Sequence, residues 1–211
     1  MKLLLAAFAF LIAGAGVAPA MGQTYPSRPV TLIVPSYQQG INAGGKNYVT
    51  ADGTLYAADR QYESSAAAAA RGGPGGHGDV FGWVGNSTTQ KTKSAIAATT
   101  EDGLYQDLRE GATGYKFTVP AGTYMVQLDF AEFTAKKALE RVFGVNLEGQ
   151  QVIAALDVFK QAGGKNTALQ RTFVVTVTDG VLDIDFLMPK GHKSIVNGIL
   201  VTQLPPGAPG T

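Results

Sequence analysis

Apolar and polar residues alternate along most of the chain after residue 41, and turn-forming residues separate the alternating runs. A period of two predicts strands that bury one face. We therefore expect an all-β fold, an antiparallel β-sandwich of the jelly-roll type over residues 41–203. The alternating residues are Tyr115, Phe117 and Val119; Tyr124, Val126, Leu128 and Phe130; Phe143, Val145 and Leu147; Phe173, Val175 and Val177; and Leu182, Ile184 and Phe186.

Turn signals add detail to this pattern. Pro120-Ala121-Gly122 separates the first two runs, so these runs are predicted to pair as a hairpin. Residues 195–201 are more continuously apolar and predict a buried last strand. Residues 63–79 contain a run of alanines followed by glycines, and we predict a flexible low-complexity loop there, with a short helical turn as the alternative.

The first 20 residues have the pattern of a secretory signal peptide. Lys2 precedes an apolar stretch over residues 3–12, and Ala18-Pro19-Ala20 resembles a cleavage site. A membrane anchor is the competing interpretation, but a span needs about 20 apolar residues. We therefore expect a secreted or periplasmic protein with no membrane insertion after cleavage. Residues 21–40 form a leader segment in this interpretation, and residues 204–211 a flexible tail.

Charge and composition exclude several classes of function. The 211 residues include 17 Lys and Arg against 16 Asp and Glu, which is not the basic excess that nucleic-acid binding requires. The chain has no cysteine, so thiol chemistry is excluded. With His77 and His192 as the only histidines, classical zinc sites are excluded as well.

Two glycine-rich sequences resemble phosphate loops, but their spacing does not fit. Gly44-Gly45-Lys46 and Gly163-Gly164-Lys165 lack the earlier glycine of that motif and are each followed by Asn. Both therefore predict tight turns with positive φ. No cofactor is expected.

Carboxylates offer little evidence for catalysis. Asp183 and Asp185 share one face of a predicted strand, whereas the two acids of a glycosidase flank the sugar. A solvated face explains them, with a structural calcium site as the alternative. Glu132 has no partner acid nearby in the sequence, so we predict an ion pair or a hydrogen-bond acceptor. The sequence therefore predicts that the protein is not an enzyme.

Aromatic residues in predicted loops and strand ends are better candidates for a binding site. A flat ring with a few polar groups around it suits the C–H face of a sugar. Capping of the core is the alternative role for each of them. These residues are Tyr56, Tyr62, Phe81, Trp83, Tyr105 and Phe133.

Two parts of the chain resemble known families. Residues 25–35 are similar to the mature start of periplasmic receptors of tripartite tricarboxylate transporters, a short resemblance that supports no function. Residues 41–203 resemble the malectin domain. The motifs that carry this second resemblance are, in order, Ile41-Asn42-Ala43-Gly44-Gly45, Asp52-Gly53, Leu104-Tyr105-Gln106, Phe130-Ala131-Glu132, Arg141-Val142-Phe143, Ala162-Gly163 and Asp179-Gly180.

The malectin resemblance implies a jelly-roll-like, galactose-binding-like module that binds a di- or oligosaccharide, typically glucose-based, without catalysis. It implies a polysaccharide partner, or a glycoside hydrolase or cell-surface protein to which the module belongs. Tyr105 matches the tyrosine of the family's Leu-Tyr-Gln motif and is the expected stacking residue. Phe133 or Trp83 is the expected second wall.

The same resemblance suggests polar contacts to sugar hydroxyls from Thr134, Arg109 and His192. This chain has Thr134-Ala135 where the family's sugar binders place an aromatic pair, and Gly191-His192-Lys193 in the late loop where they carry an aspartate. The alternative function is a structural or adhesion module that has lost sugar binding.

Overall fold

The computed structural model describes residues 37–63 and 80–206. The predicted signal peptide, most of the leader and of the low-complexity loop, and the end of the tail lie outside these residues. Within the described residues, no helix is both long and apolar enough to cross a membrane.

Strands account for most of the regular structure. Among the described residues there are two short helices, α1 (Asp102–Tyr105) and α2 (Val158–Ala162). The strands are β1 (Gln38–Asn42), β2 (Tyr48–Val49), β3 (Leu55–Ala58), β4 (Phe81–Val84), β5 (Thr88–Lys91), β6 (Asp107–Glu110), β7 (Gly114–Thr118), β8 (Gly122–Phe130), β9 (Phe143–Leu147), β10 (Gln150–Leu156), β11 (Leu169–Val177), β12 (Val181–Leu187), β13 (Ile195–Val196) and β14 (Gly198–Gln203).

The described strands form two large sheets and one small sheet. The larger has six strands in the order β11-β8-β14-β1-β3-β2, and the second has five in the order β10-β9-β12-β7-β4. Strands β13, β6 and β5 form the three-stranded sheet. The pairs are antiparallel except for β1 and β3, which run parallel. The predicted all-β sandwich is confirmed.

The core lies between the inner faces of the two large sheets. Strand β8 contributes Val126, Leu128 and Phe130 from alternate positions, as the sequence pattern predicts, and all three are fully buried. The ring centroid of Phe130 lies 6.1 Å from that of Phe143 on the five-stranded sheet. Contacts of this kind join the two layers into one core.

The predicted hairpin between β7 and β8 is wrong. Strand β7 pairs with β4 and β12, whereas β8 pairs with β11 and β14 in the other sheet. The connection therefore crosses from one sheet to the other. The Tyr124 hydroxyl donates a hydrogen bond of 2.7 Å to the carbonyl of Pro120 and braces this crossing. Alternation specifies which face is buried, but both sheets bury the same core, so it does not specify the partner strand.

The apolar segment at residues 195–201 is interrupted by Asn197, which divides it into β13 and β14. Asn197 is fully buried. Its amide nitrogen donates to the carbonyls of Tyr105 and Asp107, both at 2.8 Å, and its oxygen accepts from the Ala131 amide at 2.6 Å. One side chain thus fixes the end of α1, the start of β6 and the end of β8 relative to one another.

The two glycine-rich sequences form turns, as predicted. Gly44 has φ of 78°, and a Cβ at this position would approach the Leu108 carbonyl oxygen to 2.4 Å. Gly163 has φ of 85° and ends α2 in the left-handed conformation. The first strand among the described residues, β1, begins at Gln38.

Candidate functional site

A groove of about 360 Å³ lies on the outer face of the six-stranded sheet, and we call it the tyrosine groove. Strand register places Tyr56, Leu200 and Gln127 on this face, because Tyr56 and Leu200 both align with Gly40 and Leu200 aligns with Gln127. The neighbouring residues on each strand face the core instead. Residues from two loops complete the groove, among them Ala51, Asp52, Thr99 and Glu101.

A buried carboxylate lies beneath the groove. Asp129 is 0% exposed and accepts hydrogen bonds from three side chains that line the groove. The Tyr105 hydroxyl donates at 3.0 Å, the Gln170 amide at 3.1 Å, and the Gln127 amide at 3.1 and 3.2 Å to the two carboxylate oxygens. Gln127 also lies 3.3 Å from the Tyr56 hydroxyl. The floor of the groove is therefore an ordered polar network.

Local structure holds the loops of the groove in place. Glu101 immediately precedes α1, and its carboxylate accepts from the Tyr48 hydroxyl at 2.7 Å and from the Ala51 amide at 2.9 Å. These bonds tie the loop after β2 to the loop before α1. Tyr105 ends α1, and the bond from Asn197 to its carbonyl fixes the backbone from which its ring extends.

Electrostatics in the groove are governed by buried negative charge. Burial raises the pKa of Asp129, and the bonds from Gln127, Gln170 and Tyr105 offset this only in part. Burial and the nearby Asp129 raise the pKa of Tyr105, so its phenol stays protonated. Burial, followed by Glu101, raises the pKa of Tyr48 to about 12.

A second polar assembly, the rim cluster, comprises Glu110, Glu132, Thr134, Arg141, His192 and Lys193. Arg141 is its centre: Nε lies 2.7 Å from Glu132 and Nη2 lies 2.9 Å from Glu110. Nη2 also donates to the Thr134 hydroxyl at 3.0 Å, and Nη1 donates to the Lys193 carbonyl at 3.2 Å. The loop after β8, the end of β6 and the loop before β13 are thereby joined.

Charge pairing dominates the rim cluster. Burial acts to raise the pKa of Glu132, but the Thr134 amide and the Arg141 charge outweigh it and hold that pKa below its usual value. The pKa of Glu110 is likewise lowered, since hydrogen bonds from Gln90 and Arg141 outweigh its burial. His192 accepts a hydrogen bond from the Val142 amide at Nδ1, at 3.0 Å. Its Nδ1 is therefore occupied within the protein.

Arg109 and Trp83 form a third group. The Arg109 guanidinium lies 4.6 Å from the centre of the Trp83 ring and covers one of its faces. Arg109 Nε pairs with Asp59 at 2.7 Å, and both side chains are nearly buried. Burial raises the pKa of Asp59 despite this pairing. Arg109 thus contacts a carboxylate and a ring within the protein.

The structure separates the six predicted sugar contacts. Tyr105 lines the tyrosine groove, Thr134 and His192 belong to the rim cluster, and Arg109 contacts Trp83. Phe133 is 8% exposed, similar to Tyr105 at 5%, but unlike Tyr105 it does not line the tyrosine groove. Tyr56 and Phe81 lie on β3 and at the start of β4, and both are buried: Tyr56 lines the tyrosine groove, whereas the Phe81 ring lies 6.2 Å from that of Phe117.

Sequence reasoning missed Asp129, Gln127 and Gln170. At alternate positions on β8 and β11 they read as solvent-facing residues. One signal could have identified Asp129. It is the one charged residue of β8, and it lies between the core residues Leu128 and Phe130. Other residues behave as predicted: Glu132 forms its ion pair, and Asp183 pairs with Lys116 at 2.7 Å on an open face.

The calcium alternative has no support in the described residues, since they contain no group of three or more His, Cys, Asp or Glu side chains suited to a metal ion. The side chains that line the tyrosine groove include tyrosine rings, amide groups and the carboxylates of Asp52 and Glu101.

Comparisons with known proteins define the class to which this fold and these sites belong. The family model of the Malectin domain matches residues 37–205, and the chain belongs to this family. Human malectin is 26% identical over 199 residues, which cover 92% of this chain and 58% of the relative. Mouse malectin is 25% identical over 199 residues, covering 92% and 57%. The chain thus spans little more than half the length of these relatives.

Solved structures share the fold. A Bacteroides uniformis beta-glucuronidase has a TM-score of 0.65 at 21% identity, covering 80% of this chain and 18% of that one. The extracellular domain of ANXUR2 from Arabidopsis thaliana has a TM-score of 0.62 at 15% identity, covering 84% and 51%. At these identities the likeness establishes the fold alone.

Proposed function

We propose that this protein is an exported, non-catalytic carbohydrate-binding module that recognises a di- or oligosaccharide, glucose-based in character, in the tyrosine groove. Membership of the malectin family supports the class of ligand. The observation that carries the choice of site is the groove itself, a concavity of about 360 Å³ with Tyr105 in its lining. Small-molecule sites are typically concavities of roughly 300–1,000 Å³ that combine apolar surface with a few placed polar groups.

The residues of the groove suit a sugar. The rings of Tyr56 and Tyr105 and the side chains of Leu104 and Leu200 give apolar surface, while Gln127 and Gln170 give amide groups. The hydrogen bonds to Asp129 hold both amides in fixed orientations, so little side-chain entropy is lost on binding. Preorganised polar groups of this kind support recognition of hydroxyls rather than of an apolar ligand.

The rim cluster is the alternative place for the sugar, with Thr134 and His192 as the proposed contacts. Its cations and carboxylates already satisfy one another, and the Thr134 hydroxyl and His192 Nδ1 already have partners within the protein. That observation favours a second candidate function for this part of the surface: a structural rim that has lost sugar binding, as in an adhesion module.

Blocking substitutions at the two places distinguish these candidates. Ala51 is exposed at the groove, so Ala51→Trp places a bulky ring there without removing a core contact. Thr134→Trp is the matched block at the exposed surface of the rim cluster. Calorimetric titration with maltose and cellobiose measures binding, and thermal melting of each variant checks its fold.

We expect Ala51→Trp to lower affinity at least tenfold and Thr134→Trp to leave it within twofold. The reverse pattern would move the site to the rim cluster. If neither sugar binds the unmodified protein or raises its Tm at saturation, the structural role holds instead, because a ligand that binds only the folded state must raise apparent stability.

A further inference from the structure

The tyrosine groove has an uneven supply of hydrogen-bonding groups. Both amides that line it, Gln127 and Gln170, donate through Nε2 to Asp129, which leaves their Oε1 atoms as acceptors for a ligand. The Tyr105 hydroxyl also donates its hydrogen bond to Asp129. The groups that remain for a ligand are these two Oε1 acceptors and the carboxylates of Asp52 and Glu101, beside the hydroxyl protons of Tyr56 and Thr99, whose oxygens accept from Gln127 and from the Glu101 amide.

Formal charge in the groove has a single sign. Asp52 and Glu101 both line it, and among the residues that the structure describes no Lys, Arg or His does so. Hydrogen bonds from Thr50 and Thr54 lower the pKa of Asp52, which keeps its carboxylate ionised. In a chain whose opposite charges are almost balanced, this is a local excess of negative charge.

Asp129 is a third acid, buried behind the floor of the groove. Its three partners are neutral donors, and within the described part of the chain no cationic side chain pairs with it. A buried carboxylate without a counter-ion is costly, and a cation nearby reduces that cost. The rim cluster, by comparison, places Arg141 between its own buried carboxylates.

We infer that the tyrosine groove selects an amino sugar in its ammonium form, a glucosamine unit within a di- or oligosaccharide. Hydroxyl and ammonium protons would meet the acceptor atoms of Gln127 and Gln170, and the ammonium charge would be attracted by Asp52, Glu101 and Asp129. This inference rests on the proposed function, because it names the sugar for the same site.

Three disaccharides with the same linkage test the charge alone. Cellobiose, the β-1,4 disaccharide of glucosamine and its N,N′-diacetyl form carry a hydroxyl, an ammonium and a neutral amide at C2. Titrations at about pH 6 and low salt keep the amine protonated. We expect the glucosamine disaccharide to bind at least tenfold more tightly than either of the other two, and this preference to shrink as salt is added.

Glu101→Gln identifies the source of this preference, since glutamine keeps the size of the side chain and removes its charge. We expect the ratio of affinities for the glucosamine disaccharide and cellobiose to fall at least threefold. Asp185→Asn is the matched control, an exposed acid on the five-stranded sheet, and should leave the ratio unchanged. Melting curves confirm that both variants are folded.

The outcomes separate the two proposals. Equal binding of the three disaccharides, with Ala51→Trp still blocking them, overturns the amino-sugar inference and leaves the sugar site in place. An unchanged ratio in Glu101→Gln overturns the inference as well. Absence of binding by all three disaccharides overturns the inference but leaves the proposed function in place if maltose binds, and absence of binding by maltose as well overturns both.

Discussion

The rim cluster and the tyrosine groove both contain buried carboxylates, but they neutralise them differently. Glu132 and Glu110 share Arg141, whereas Asp129 receives only neutral hydrogen bonds. The pKa shifts of the two groups are therefore opposite in sign. The pKa of Glu132 is lowered, whereas burial raises the pKa of Asp129. The rim cluster is an internally paired set of charges that joins two loops and the end of β6, whereas the acids of the groove have no cationic partner among the described residues.

This difference shows that buried charge alone does not mark a binding site. A carboxylate paired with arginine holds elements together, and its ionised state favours the folded protein. A carboxylate held in place only by neutral donors costs folding energy and retains its attraction for a cation. The groove is therefore the better place to look for a ligand.

The largest effect is expected from Arg141→Met. The Arg141 side chain is 11% exposed, and its removal leaves Glu132 buried without a counter-ion and Glu110 with Lys193 alone. Breaking a buried pair by removing one partner costs about 3–5 kcal/mol. Urea denaturation measures this loss. Lys193→Met is the control, since that side chain is 59% exposed and lies 3.5 Å from Glu110; a loss as large as that of Arg141→Met would contradict the central role of Arg141.

A smaller loss is expected from Tyr105→Phe in the groove. The substitution keeps the ring and removes one of the three donors to Asp129. Loss of a hydrogen bond to a buried charged group costs about 1.5–3 kcal/mol. Urea denaturation at neutral pH measures the change. Tyr62→Phe is a matched control, because among the described residues the Tyr62 hydroxyl has a long contact of 3.3 Å with Thr118. Equal losses of stability in the two variants would show that the hydrogen bond from Tyr105 to Asp129 contributes no more than this contact.

The contributions of Asp129 and Glu132 to the free energy of unfolding should change with pH in opposite directions. Because the folded pKa of Asp129 lies above its unfolded value, its contribution to stability falls as pH rises from the unfolded to the folded pKa. Glu132 has a lowered folded pKa, so its contribution is present above its unfolded pKa and is lost as pH falls through the folded one.

Asp129→Asn tests this sign, since asparagine can keep Oδ1 as the acceptor for Tyr105 and Gln170. Its stability relative to the unmodified protein should improve as pH rises from about 4 towards 7, as measured by the free energy of unfolding in urea at each pH. A relative stability that worsens over this interval would show that the ionised carboxylate favours folding.

The smallest effect is expected from Lys116→Met on the open face of the five-stranded sheet. Lys116 and Asp183 are 2.7 Å apart but 36% and 34% exposed. Pairs with this exposure contribute about 0–1 kcal/mol and weaken with salt. Denaturation at low and high salt should show a difference from the unmodified protein below 1 kcal/mol that shrinks further with salt. A loss of stability that does not depend on salt and is as large as that of Arg141→Met would show that this exposed pair contributes as much as the buried pairs of the rim cluster.

The sequence periodicity was sufficient to predict the strands, because apolar residues at alternate positions, such as Val126 and Leu128, form the buried face. It was not sufficient for their pairing, which depends on the path taken after Pro120 and on the interruption at Asn197. The ion pair of Glu132 could be expected from a carboxylate with an arginine nearby in the sequence. The network around Asp129 could not, since it joins residues from α1, β8 and β11 that are distant in the chain.

The pairing of β1 with β14 has a consequence for how the module is made. Gln38 aligns with Thr202, so the first and last strands of the domain are neighbours in the same sheet. Closing this pair brings together residues 164 positions apart, which is the kind of non-local contact that slows folding. During synthesis the six-stranded sheet stays incomplete until the final strand has left the ribosome, and both ends of the finished domain then emerge side by side.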